Sequence, residues 1–286
     1  MAYETEISNS AKVTNVISDG ISAALVQAVV GLPHVHTEDL PKGTAIKLWR
    51  KDGSLTAEAI SESAAYTPSA NSEFTQTTIS STATKTVVMS KLTAEAAQFG
   101  NIDLAKLAVE QGKAIARKLD ADLYALFPSL ATVVTATSIL TVNDVLQAAY
   151  SVRASLAGGI GQRLVAILDY KGVFELQKEL MNSGAAVLAQ PGMTSLLSGL
   201  AQLNGYAGQL PGIDVFQTSG LATNGGDDEA AVFNPETCFA GVYSPSVIVK
   251  QIDVGIGGFW TELDSYVFSN VVEWNDLAGV LLKSDT

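Results

Sequence analysis

Residues 85–130 read KTVVMSKLTAEAAQFGNIDLAKLAVEQGKAIARKLDADLYALFPSL, and the organisation of the whole chain follows from them. An extended run, Thr84–Ser90, hands over to a helix predicted over 101–127. Leu104, Leu107, Ala108, Ile115, Leu119 and Leu126 line one stripe of that helix, and Lys106, Glu110, Lys113, Arg117 and Asp120 line the opposite one. Asn101 or Asp103 can cap its first free amides, and Pro128 closes it. At about 1.5 Å per residue such a helix is roughly 40 Å long, the length of a strut.

Working outward, residues 1–40 carry Val13, Val16, Ile17, Ile21, Ala24, Leu25 and Ala28 at three- and four-residue spacings. That pattern predicts a helix with one apolar face, ended by Gly31-Leu32-Pro33. It can dock on its own domain or on a neighbour. Residues 41–91 read as a long hairpin: Thr44–Lys51 extended, a turn at Lys51-Asp52-Gly53, and a return strand at Leu55–Ile60. The Ser/Thr/Ala-rich stretch Ser61–Thr84 is too polar to bury a core alone, so it is expected to stay mobile or be ordered by another chain.

Beyond the long helix, helices are expected at Val142–Leu156, Tyr170–Met181 and Met193–Leu203, with a buried strand at Arg163–Asp169. Strands are expected at Ile213–Gln217, Ala230–Phe233, Cys238–Tyr243, Val247–Ile252, Phe259–Glu273 and Leu277–Leu282. A helix-rich middle followed by a strand-rich end indicates the α+β class.

Composition narrows the function. Of 286 residues 47% are apolar and only 16% charged, a balance that suits a surface covered by neighbouring subunits or a larger-than-usual monomer core. The formal net charge is −12, and residues 201–286 hold 11 acidic and 2 basic side chains, so −9 of it lies there. No basic footprint for a phosphate backbone exists in that third, which argues against sequence-specific nucleic-acid binding. A single cysteine, Cys238, rules out an internal disulfide and suits a reducing compartment. The N-terminus lacks a secretory signature, and the longest apolar stretch, Ile21–Leu32, is too short to span a bilayer. A cytosolic, soluble product without membrane association is expected.

Few residues carry chemistry. His34 and His36, the only histidines, could form a metal site with Glu38 or Asp39. A solvated or interface turn is the plainer reading, because no rigid third ligand is evident. The Gly158-Gly159-Ile160-Gly161 run follows a helix, whereas a phosphate cradle must follow a strand and open a helix. Gly255-Ile256-Gly257-Gly258 reads as a turn as well. Asn224 to Glu229, with Asp227-Asp228-Glu229, offers oxygens for an ion but lacks the alternating ligand spacing of a calcium loop. It is expected to be a hairpin tip. Cys238 lies in an apolar strand and is expected in the core. No catalytic, cofactor-binding or metal residue is assigned.

The quoted order carries a resemblance. A strand, then Ser90-Lys91-Leu92-Thr93-Ala94-Glu95-Ala96-Ala97, then a long helix ending in Leu119-Asp120-Ala121-Asp122-Leu123-Tyr124, resembles the major capsid proteins of tailed bacteriophages with the Hong Kong 97-type fold. The resemblance implies an N-terminal arm at 1–40 and an extended loop at 41–91. It implies a peripheral domain at 92–162 and 243–273 with spine helix 101–127, and an axial domain at 163–242 and 274–286. It further implies an icosahedral shell of pentamers and hexamers of this chain, assembled in the host cytoplasm and found in the virion. Non-specific contact with packaged double-stranded DNA is implied, with portal, cement and a separate scaffolding protein as possible partners. No coiled-coil segment precedes the arm. Lys42, Lys47 and Lys51 lie near the loop, but no partner asparagine or catalytic acid is identifiable, so a lysine crosslink is not carried over. Two alternatives stand beside this. An encapsulin-like nanocompartment enclosing a cargo enzyme shares the fold, although the long Ser/Thr loop and the lack of an obvious cargo groove favour the viral shell. A monomeric α+β enzyme has no constellation to support it.

Overall fold

The strand Leu164–Asp169 (LVAILD) has no polar face, so it must be covered on both sides. It is. The structure, a computed structural model, describes residues 18–39, 46–51, 74–79, 84–93, 104–136, 139–156, 163–182, 205–221, 223–224, 227–243, 248–253 and 260–285. The helices are α1 (18–28), α2 (Leu104–Tyr124), α3 (Val142–Ser155) and α4 (Tyr170–Asn182). The strands are β1 (His36–Asp39), β2 (Ile46–Lys51), β3 (Phe74–Ile79), β4 (Thr84–Thr93), β5 (Thr132–Thr135), β6 (Leu164–Asp169) and β7 (Tyr206–Leu210). They continue with β8 (Ile213–Thr218), β9 (Thr223–Asn224), β10 (Asp227–Phe233), β11 (Phe239–Tyr243), β12 (Ile248–Asp253), β13 (Trp260–Glu273) and β14 (Gly279–Asp285). The α+β class is as expected.

β6 lies inside a seven-stranded sheet of order β5-β14-β10-β6-β8-β7, with β9 paired to β10. Side chains alternate across a strand, so Leu164, Ala166 and Leu168 of β6 join one apolar cluster while Val165 and Ile167 join another. The first cluster is closed by Val145, Ala148, Ala149 and Val152 of α3 and by Val173, Leu176 and Leu180 of α4. The second is closed by Leu123, Tyr124 and Phe127 at the end of α2, with Phe233 and Phe239 packed edge to face at 5.1 Å. Each fully buried side chain of this size contributes about 1.5–3 kcal/mol, so this sheet supports itself.

Two local devices set α3 and α4. Thr141 and Asp144 form a reciprocal capping box at the start of α3. Asp169, ending β6, accepts the amides of Lys171 (3.1 Å) and Gly172 (2.5 Å) and starts α4 without a loop. β5 pairs parallel to β14, and α3 packs on this sheet. The resemblance implied both within the unit spanning 92–162, whereas here they join the larger sheet.

A five-stranded sheet, order β1-β11-β13-β12 with β4 also on β13, forms the second layer. β13 is 14 residues long and pairs with β4 along 260–269, with β12 along 261–266 on its other edge, and with β11 along 269–273. α2 lies across this sheet, and α1 lies on α2 through Ile21, Leu25, Val29, Ala108, Ile115 and Leu119. The N-terminal helix therefore docks on its own chain. The approach is close, because a Cβ at Gly112 would sit 2.7 Å from the Ile21 carbonyl oxygen and 2.8 Å from Ala24 Cβ.

Several expectations are revised. α2 has 21 described residues, about 31 Å, and ends at Tyr124 rather than at 127; Asn101 and Asp103 lie outside the described residues. The helix tightens to an i→i−3 bond, Leu126 N–H to Leu123 O, just before Pro128, whose ring disfavours helical geometry in the residue ahead of it. The strand paired with β2 is Phe74–Ile79, Lys51 opposite Phe74, so part of the stretch read as structureless is strand. Leu55–Ile60 and the turn after Lys51 lie outside the described residues, as do Met193–Leu203 and both glycine-rich runs. The final strand begins at Gly279, after a 3-10 turn at Asp276–Ala278 whose Leu277 amide is capped by Asn275. The short strands β1, β5 and β7 were not anticipated: four or five residues, with glycine in β7, give too few alternations to read.

Candidate functional site

The residues that the sequence singled out for chemistry are dispersed by the fold. His34 packs its ring on Phe216, 4.2 Å between centroids. Burial, then the Arg163 guanidinium, pushes its pKa down to about 4, so it is neutral at ordinary pH. His36 Nε2 lies 3.1 Å from Glu38 Oε1, and its ring is 5.4 Å from Trp274. The two imidazoles engage different neighbours. Among the described residues no group of three or more His, Cys, Asp or Glu is placed to hold a metal.

β9 and β10 form the expected hairpin, with Asn224 opposite Asp227. Glu229 is buried and faces Lys283 of β14 at 3.5 Å. Cys238 is fully buried in the aromatic cluster, and burial, followed by the charges of Glu273 and Asp276, pushes its thiol well up. This is core chemistry. An unreactive thiol follows.

The fold also assembles what the sequence reading missed. Asp120 was expected on the solvated face of α2; it is buried. Its carboxylate accepts the amides of Val30 (2.8 Å), Gly31 (2.9 Å) and Leu32 (3.4 Å), which lead into the 3-10 turn Leu32–His34 that follows α1. Burial pushes this carboxyl up against the opposing pull of the three hydrogen bonds. A Cβ at Gly31 would meet Leu123 Cδ2 at 2.7 Å and Tyr124 Cε1 at 3.1 Å. Glycine and aspartate thus form one clasp that fixes where the N-terminal segment leaves the long helix. A signal existed: Ala116, Asp120, Leu123 and Phe127 share the helical face that runs into the core.

Two surfaces flank this clasp. A groove opens between α1, α2 and residues 217–220, floored by Gly20, Ala23 and Ala24 and edged by Lys113 and Arg117. The β2–β3 hairpin meets the body through Leu48, which packs on Ala240 and Val242 of β11 with Val272 and Trp274 beside it.

No known family model matches the chain, and no curated protein matches it. Solved structures do. A chain of Mycobacterium phage Che8 superposes with a TM-score of 0.62 at 14% identity, over 89% of this chain and 90% of that one. The capsid of a native GTA particle gives 0.62 at 13%, over 90% of each. The holo-SrpI encapsulin complex of Synechococcus elongatus gives 0.61 at 8%, over 89% and 86%. At these identities the likeness establishes the fold, and the fold is the Hong Kong 97-type capsid fold. It covers the chain nearly end to end, as the order of elements implied.

Proposed function

We propose that this chain is the major capsid protein of a tailed double-stranded DNA bacteriophage, a structural subunit that self-assembles into the icosahedral head shell and encloses the genome. The observation that carries this is the extent of the likeness: about nine tenths of both chains match. On this reading α2 and the five-stranded sheet, β4 included, form the peripheral domain, the seven-stranded sheet with α3 and α4 forms the axial domain, the chain ahead of β1 is the arm and the β2–β3 hairpin belongs to the extended loop. The role is mechanical rather than enzymatic. The hairpin reaches toward a neighbour, the clasp at Asp120 sets the exit of the arm, and many weak contacts add up once the lattice closes. The residence is the virion, with assembly in the host cytoplasm, and the partners are further copies of this chain, with portal, scaffolding and cement proteins and packaged DNA.

A second reading keeps the shell and changes its content. The groove beside α1, with its small-residue floor, and the likeness to an encapsulin favour a nanocompartment that holds a protein cargo. Electron microscopy of the expressed chain decides between a shell and a monomer of 29.8 kDa. Closed particles of uniform size are expected; a species that sediments only as the monomer at every concentration overturns both shell readings. Particles from the native source that absorb as nucleic acid support the head shell, and particles filled with one protein support the compartment.

A further inference from the structure

Helix α4 carries two apolar arcs, and the seven-stranded sheet covers only one of them. Gly172, Val173, Leu176 and Leu180 are buried against that sheet. The other arc carries Tyr170, Phe174 and Met181, which are 57%, 62% and 64% exposed. At about 100° per residue these three fall within roughly 40° of one another, so they form one outward stripe. Three large apolar side chains in such a stripe mark a surface that is covered in use.

The two ends of the stripe coincide with the two ends of a stretch of chain outside the described residues. The helix has 13 residues and rises roughly 18 Å from first to last. Met181 lies beside Asn182, after which the description stops, and the chain resumes at Gly205. A Cβ at Gly205 would lie 2.5 Å from the Gln217 carbonyl oxygen and 3.0 Å from Val30 Cγ2. Gly205, Gln217 and Tyr170 line the same groove. The chain therefore departs from one end of the stripe and returns at the other.

Residues 183–204 read SGAAVLAQPGMTSLLSGLAQLN, 22 residues without one Asp, Glu, Lys or Arg. Within them Met193, Leu196, Leu197 and Leu200 recur at the spacing of a single helical face. Eleven residues, 193–203, span about 16 Å as a helix, close to the length of the stripe. The ten residues ahead of them include Pro191-Gly192 and suffice for a reversal.

We infer that residues 193–203 dock antiparallel on the Tyr170–Phe174–Met181 stripe of their own chain, with Leu200 opposite Phe174. An uncharged occupant covers the stripe without desolvating a charge of its own. Lys171 and Lys178, both exposed beside the stripe, keep their ammonium groups in water while their stems cover its edge. The larger sheet then carries a further helical layer outside α4, and this face is closed to neighbouring copies. The inference goes beyond the shell reading and does not rest on it.

The test uses thiols, since the native Cys238 is fully buried. In the full chain, Phe174→Cys is expected to react with a maleimide at least about tenfold more slowly than Tyr150→Cys on α3, because only the first is covered. Adding Leu196→Ser, Leu197→Ser and Leu200→Ser is expected to bring the two rates within about twofold of each other. Under mild oxidation Phe174→Cys/Leu200→Cys or Phe174→Cys/Leu197→Cys is expected to form an intrachain disulfide, read on a non-reducing denaturing gel. Tyr150→Cys/Leu200→Cys is expected to form none. Equal labelling of Phe174→Cys and Tyr150→Cys in the otherwise unaltered chain overturns the inference, and this comparison decides even where the triple serine variant fails to fold. So do the absence of an intrachain disulfide in both Phe174 pairs, its equal formation in the Tyr150 pair, and a product that joins two chains, which would assign the stripe to the segment of a second copy. A chain that fails this test can still form closed particles.

Discussion

The two sheets solve the same problem differently. The seven-stranded sheet is apolar on both faces and both are covered, one by α3 and α4 and the other by the end of α2 and its aromatic neighbours. The five-stranded sheet turns a mixed face to α2. Ser265, Val267, Ser269 and Val271 alternate on that side, next to Thr86, Val88 and Ser90 of β4. Tyr266 and Phe268 point the other way and remain partly exposed, edge to face at 5.7 Å. Gln111 of α2 donates to Ser90 Oγ at 2.7 Å across this polar seam. A dispersion-packed core tolerates little displacement, whereas a serine-rich seam can exchange one hydrogen bond for another. The larger sheet is therefore the rigid body of the molecule, and the long helix over the smaller sheet is where the subunit can yield.

That contrast breaks most readily at its rigid end. Phe233→Ala opens a cavity between the larger sheet and Phe127 and Phe239 and is expected to cost about 3–5 kcal/mol, read by chemical denaturation. A cost near 1 kcal/mol would mean that this core is loosely packed and the contrast false. Next comes the clasp between the regions. Asp120→Ala leaves the Val30, Gly31 and Leu32 amides without their acceptor and should destabilise by about 2–3 kcal/mol, with faster hydrogen exchange at those amides than at β6. Unchanged exchange would show that the clasp does not hold the arm.

A smaller effect is a pH slope. The folded-state pKa of His34 lies at about 4, below its ordinary 6.5, so between these values the unfolded chain binds the proton and the folded one does not. Stability is full above pH 6.5 and falls as the pH drops from 6.5 toward 4, by on the order of 1–2 kcal/mol after discounting for partial exposure. His34→Phe should flatten that slope; an identical slope in the variant assigns it elsewhere. The smallest change is in the seam, where Ser90→Ala removes one hydrogen bond and should cost about 1 kcal/mol. A loss as large as that of Phe233→Ala would make the seam a core after all.

Legibility followed the strength of the local pattern. β6, α3 and α4 were plain because an unbroken apolar run, a Thr-x-x-Asp cap and a 3.6-residue stripe each act within one element. α2 was read correctly in place but carried three residues too far, since Pro128 acts on the geometry ahead of it. The partner of β2 was misplaced by nearly 20 residues because Lys-Asp-Gly promises a tight turn, whereas pairing depends on residues far along the chain. Asp120 was misread for a related reason: a charged residue on a charged helix looks solvated until three unpaired amides arrive from residues 30–32. The histidines and the acidic hairpin looked like ligand sets in one dimension and separated in three.

The amino-acid order alone determined the class and the succession of N-terminal helix, hairpin, long helix and strand-rich end, because periodicity and turn chemistry are properties of neighbouring residues; the capsid fold was implied by the resemblance of that succession to a known family. Only the tertiary structure decided which sheet face is buried, that β5 and α3 belong with the larger sheet, and that Asp120 clasps the arm. Those outcomes depend on encounters between segments about 90 or more residues apart, and nothing local encodes which of several apolar faces will find its cover.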